Sequence, residues 1–102
     1  QYHYFYRFNK GLSEISEKRY FDITKSIYKV LDDHLKNNNF LAGDEYSIAD
    51  IATWPWVARH HWHDIGLKNY PNLCKWYEVI SKRPAVVKGY KFIDESSEIP
   101  KP

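Results

Sequence analysis

The longest regular pattern lies between residues 17 and 37, where Tyr20, Ile23, Ile27, Val30, Leu31, His34 and Leu35 recur at steps of three and four. That spacing puts them along one side of an α-helix. Ser16 is placed to cap its start, and Glu17 suits the positive end of the helix dipole. The Asn37-Asn38-Asn39 run stops it, because Asn side chains compete for backbone hydrogen bonds. Phe21 and Tyr28 form a second apolar stripe, so this helix is expected to pack on more than one neighbour, inside a bundle or at an interface.

Gly43-Asp44 marks a turn within a loop over 38–46, and Ser47-Ile48-Ala49-Asp50 opens the next helix. Ser47 at the N-cap and Asp50 three residues later make a capping box with Asp in the usual Glu or Gln place, and Tyr46 and Ile51 are spaced as a hydrophobic staple. The pattern runs through Trp54, Val57 and Ala58 to about Trp62. Pro55 inside it predicts a kink, since no N–H is present to bond Ile51 C=O. Gly66 closes this element. Pro71 suits the first position of a third helix, with Asn69 or Tyr70 near the cap and Leu73, Trp76, Tyr77 and Ile80 as its apolar face. Pro84 opens a short fourth helix with Val86, Val87 and Tyr90. Residues 91–102 lack periodicity and read as an irregular tail. Residues 1–8 fit two patterns. Tyr2, Tyr4, Tyr6 and Phe8 alternate as in a strand, while His3 and Phe5 break the alternation as at the end of a helix buried on most sides. No alternating pairs joined by turn dipeptides occur, so the expected class is all-α, with a domain over 1–90 and a tail over 91–102.

Composition narrows the classes. With 102 residues, 43% of them hydrophobic, the chain holds one core. A net charge of +2 argues against a dedicated nucleic-acid surface or a polybasic membrane surface. No run approaches the length of a membrane span. One cysteine, Cys74, excludes an internal disulfide, and the expected location is the cytoplasm. Aromatic residues make up 18% of the chain, no Met occurs, and the sequence opens inside an aromatic run. Termini are usually polar and loose, so the expectation is a piece of a longer protein.

Candidate chemistry is sparse. His60, His61, His63 and Asp64 cluster, but a zinc site needs further ligands and a supporting shell, so no metal is expected. Cys74 lacks a Cys-x-x-Cys partner and sits among Leu, Trp and Tyr, as a packed thiol does. Asp50 is accounted for as a cap. Arg19, at the start of the long helix beside Tyr20, is a guanidinium able to hold a carboxylate bidentately, or a surface arginine at a helix start where the dipole does not favour it.

The run Phe40-Leu41-Ala42-Gly43-Asp44-Glu45-Tyr46-Ser47-Ile48-Ala49-Asp50-Ile51-Ala52 resembles the C-terminal domain of glutathione transferases. So do Tyr70-Pro71-x-Leu73-x-x-Trp76 and Arg83-Pro84-Ala85. Trp54-Pro55-Trp56-Val57, Gln1-x-x-x-Phe5 and Arg19-Tyr20 resemble the nu-class-like bacterial branch, which also reduces disulfides with glutathione. Glu14 stands in a loop region where that branch usually has Pro.

The resemblance implies a helical bundle that supplies the substrate pocket and part of a homodimer contact. A thioredoxin-like N-terminal domain, outside this chain, would bind glutathione and steady its thiolate. Arg19 and Tyr20 would then bind glutathione, and Gln1, Tyr2 and Phe5 would line the pocket for a small electrophile or disulfide. Ser47 and Asp50 would serve folding, and no catalytic residue would lie in this chain, which alone would be inactive. The rival reading is a non-catalytic module of the same helical type that mediates protein assembly.

Overall fold

The computed structural model describes all 102 residues, Gln1–Pro102. Four α-helices follow one another: α1 (Glu14–Leu35), α2 (Ile48–Val57), α3 (Pro71–Ser81) and α4 (Pro84–Tyr90). A π-helical turn, Tyr4–Phe8, precedes α1, and two 3₁₀ turns, His60–Trp62 and Leu67–Asn69, lie between α2 and α3. The fold is all-α, with only an isolated Phe40–Gly43 bridge, where Gly43 takes a φ of 130° that other residues rarely adopt. No helix is long and apolar enough to cross a membrane.

The start of α1 differs from the expected one. Ser13 is the cap: its Oγ accepts from Ser16 N–H at 3.3 Å, which makes Ser16 the third helical residue. Glu14 and Glu17 then lie together in the first turn, where two carboxylates favour the positive dipole end. At the other end the Asn38 side chain donates to His34 C=O, taking one of the carbonyls that the last turn leaves free.

α1 turns inward its second stripe together with Leu31 and Leu35 of the first. Tyr28 and Leu35 are buried, with Phe21 and Leu31 packed against the same core, whereas Ile23, Ile27 and Val30 remain largely exposed. Both stripes satisfy helical periodicity. The choice between them is made by α3, whose buried face, Leu73, Trp76, Tyr77 and Ile80, meets α1 more extensively than any other element does. Complete burial of one such aliphatic side chain stabilises the fold by about 1.5–3 kcal/mol.

α3 begins with Pro71 at its first position, but Tyr70 contributes no side-chain cap. The acceptor comes from α1: Asp32 Oδ1 takes the Asn72 and Leu73 N–H groups at 2.8 and 2.9 Å, and Oδ2 takes the Asn72 amide at 3.3 Å. α2 stops at Val57, two residues beyond Pro55 and short of the expected Trp62. Past it, the N–H groups of Arg59 and Trp62 bond carbonyls three residues back, tightening the chain and turning His60 into the interior. Asp64, at φ 50°, is the left-handed residue that redirects the chain. Gly66 instead supplies room, since a Cβ there would meet Asn69 Nδ2 at 2.9 Å.

The segment over 91–102 contains no helix, yet it returns to the core. Ile99 packs there, and Tyr77 Oη donates to Pro100 C=O at 2.6 Å.

Candidate functional site at the start of α1

Residues 2 to 8 continue as helix and widen into the π turn, in which Asn9 N–H bonds Tyr4 C=O at 2.9 Å. The strand pattern is therefore not realised. A π turn displaces the side chains that follow it relative to an α-helix, and such turns are frequent at functional sites. Here it gathers an aromatic layer against α1. Tyr2 stacks on Tyr6 at 5.4 Å and tilts against Phe21 at 5.0 Å, while Phe5 stacks on Tyr20 at 5.8 Å with the rings 14° from parallel. Each aromatic pair adds about 0.5–1.5 kcal/mol beyond area burial.

Of the residues singled out in the sequence, Phe5 and Tyr20 are in contact, Tyr2 packs instead on Tyr6 and Phe21, and Gln1 is exposed. Tyr2 is buried, and burial raises its phenol to about 12, so it is a neutral hydroxyl at physiological pH. Phe21 and Tyr6 belong to this layer as well. The helix pattern marks Phe21 only as an apolar residue and cannot show what faces it.

Arg19 lies in the second turn of α1, exposed, and makes no hydrogen bond or ion pair within the chain. Its neighbours differ. Lys18 and Lys25 both pair with Asp22, at 2.6 and 3.2 Å. Beside Tyr2 and Phe21 opens a hollow of about 420 Å³, bounded by Lys10, Glu14, Glu17 and Lys18.

The capping box closes as a larger assembly. Ser47 Oγ accepts from Ala49 N–H at 3.2 Å, and Asp50 Oδ2 accepts from Ser47 N–H at 3.0 Å. Asp50 Oδ1 also takes Leu41 N–H at 3.0 Å and Trp76 Nε1–H at 2.8 Å, with the carboxylate fully buried. Burial pushes this carboxyl upward. The donors from Leu41, Trp76 and Ser47 outweigh it and hold the group below the usual carboxylate range. The expected staple contact is replaced: Tyr46 meets Phe40 at 5.9 Å and the Arg83 guanidinium at 3.8 Å, while Ile51 stays exposed.

The histidines do not converge on one point, although the His60 and His61 rings meet edge-on at 5.7 Å. His63 is buried and shares a 3.0 Å hydrogen bond with Tyr28 Oη, His60 is buried against Tyr77, and His61 is exposed. Burial first, then the charge of His3, lowers His63 to about 4. No three His, Cys, Asp or Glu side chains are grouped so as to hold a metal ion. Cys74 is partly buried, and burial raises its thiol, the opposite of what a nucleophile needs.

Residues 3–84 match the family model described as glutathione S-transferase, C-terminal domain. The chain is 46% identical over 68 residues to the disulfide-bond oxidoreductase YfcG of Escherichia coli K12, covering 67% of this chain and 32% of that protein. It is 33% identical over 95 residues to the disulfide-bond oxidoreductase YghU of the same organism, covering 84% of this chain and 32% of that one. A crystal structure of a glutathione transferase from Burkholderia graminis, described as having two glutathione molecules bound per subunit, superposes with a TM-score of 0.80. That match is 28% identical and covers 94% of this chain and 43% of the other. The chain spans about a third of the length of the two oxidoreductases.

Proposed function

Since this chain belongs to the glutathione S-transferase C-terminal domain family, we propose that it is the substrate-binding and dimer-forming half of a cytoplasmic enzyme that directs the glutathione thiolate at electrophiles or disulfides. The other half, a thioredoxin-like domain, would bind most of glutathione and lower its thiol pKa. Similarity to the disulfide-bond oxidoreductases YfcG and YghU favours disulfides among the substrates.

The observation that carries this reading is an exposed cation without an acidic partner on the helix that bears the aromatic layer. Arg19 forms no ion pair and directly precedes Tyr20, whose ring lies on Phe5. A guanidinium is suited to grip a carboxylate with two parallel N–H bonds, and glutathione carries two carboxylates. The Phe5–Tyr20 stack, together with Tyr2 and Gln1, would form the apolar side of the pocket, excluding water from the reacting sulfur. The chain would contribute orientation and proximity, which are large effects when the reacting atoms are held in line.

Titration calorimetry on the full-length protein tests this. Arg19→Ala is expected to weaken glutathione binding by about ten-fold or more, in line with the loss of a charge-assisted hydrogen bond. Unchanged affinity overturns the assignment of Arg19.

A further inference from the structure

A second cavity lies between α2, α3 and α4. It measures about 450 Å³, and its walls are mainly apolar. Tyr46, Trp54, Ile80, Val86 and Tyr90 line it, and Arg83 stands among them as the charged residue. It shares no lining residue with the hollow beside Tyr2. Trp54 and Ile80 are buried at its base, whereas Ile51 and Arg83 at its margin are exposed. The base is fixed in place. Trp54 stacks on Tyr77 at 5.3 Å, meets Tyr90 edge-on at 6.2 Å, and donates its indole N–H to Tyr77 C=O at 3.2 Å.

Arg83 lies over the Tyr46 ring at 3.8 Å. Stacking uses the face of the guanidinium and leaves its N–H edge free to donate in the plane. No carboxylate of the chain takes that edge: Arg83 forms no ion pair and no side-chain hydrogen bond. The surroundings are basic too. From Val79 to Ile93 the sequence holds Lys82, Arg83, Lys88 and Lys91 and no acidic residue. A cavity of this size, apolar with one convergent cation, has the composition of a small-molecule site.

We propose that this cavity binds a small aromatic carboxylate, its ring against Trp54 and its carboxylate on the Arg83 guanidinium. The site is independent of the glutathione reading and survives its failure. Four tryptophan indoles give separate amide-region signals, so occupancy can be located in the ¹⁵N-labelled 102-residue chain. The probes are 1-naphthoate and its neutral counterpart 1-naphthamide. Expected are saturable shifts of the Trp54 indole signal, with that of Trp62 unmoved, and an acid preference of about ten-fold or more. Arg83→Gln is expected to bring acid and amide within about two-fold, and Arg7→Gln, which removes one of the two cations over Trp62, to leave the preference intact. Acid preference that survives Arg83→Gln, shifts centred on Trp62, or no saturation below about 1 mM overturns the proposal.

Discussion

Asp50 and Trp76 are joined across α2 and α3 by a 2.8 Å bond from the indole N–H to Oδ1, with both side chains buried. The same carboxylate holds the N–H groups of Leu41 and Ser47. One side chain therefore fixes the loop before α2, the first turn of α2 and the middle of α3.

Replacing it takes the acceptor from the N–H groups of Leu41 and Ser47, the Trp76 indole and, at 3.4 Å, the Ser47 hydroxyl. A buried donor left without an acceptor costs about 1–3 kcal/mol, so Asp50→Ala is expected to lose about 3–5 kcal/mol, partly offset where water reaches Leu41 and Ser47. Asp50→Asn keeps one acceptor and should lose less. Urea denaturation followed by circular dichroism measures both, and equal stability of wild type and Asp50→Ala excludes the role.

Asp32 is the cap of a helix forty residues away. Asp32→Ala is expected to cost about 1–2 kcal/mol, the range for losing an N-cap, and to accelerate amide exchange at Asn72 and Leu73 ahead of the rest of α3. Exchange unchanged at these two amides contradicts it.

Acidification should weaken the fold. Buried His63 has its folded value lowered from 6.5 to about 4, so between these values the unfolded chain binds the proton that the folded chain refuses. The contribution is present in full above pH 6.5 and is lost as pH falls toward 4, amounting to about 3 kcal/mol. His60, lowered mainly by burial, acts in the same direction. Chemical denaturation at pH 7.5 and pH 5 reads the effect. His63→Gln should flatten the dependence, and a wild type equally stable at both pH values sinks it.

Conjugation and disulfide reduction are expected to be absent from the 102-residue chain assayed alone with glutathione, because the proposed function assigns activation of the thiol to the thioredoxin-like half. Turnover above a buffer control contradicts this expectation.

The starts of α2, α3 and α4 were legible from local signals, whereas the cap of α1 fell at Ser13 and not Ser16, and α2 ended at Val57. Pro71 and Pro84 mark first turns, and Ser47 with Asp50 marks another, within four residues each. Signals that depend on a distant partner were not legible. The two stripes of α1 are both apolar, and only the docking of α3 decides that Tyr28 goes inward while Ile27 stays out. Asp32 looks like any helical surface carboxylate until α3 arrives beside it. Of the aromatic contacts, Phe5 with Tyr20 joins two residues that the sequence motifs single out, but the Tyr2–Phe21 contact depends on how the N-terminal helical segment docks on α1, and nothing in the spacing of the aromatics specifies a π turn.

The capping of α3 from α1 also orders events in time. The amides of Asn72 and Leu73 have no acceptor from their own segment, so the first turn of α3 gains its Asp32 bonds only once about forty residues of chain have closed into a loop. α1 takes its first-turn acceptor from its own segment, at Ser13, whereas the first turn of α3 takes its acceptor from α1. Nucleation of one helix and docking of the other become one kinetic step, and non-local closure of this kind is what slows folding in chains otherwise built from local helices.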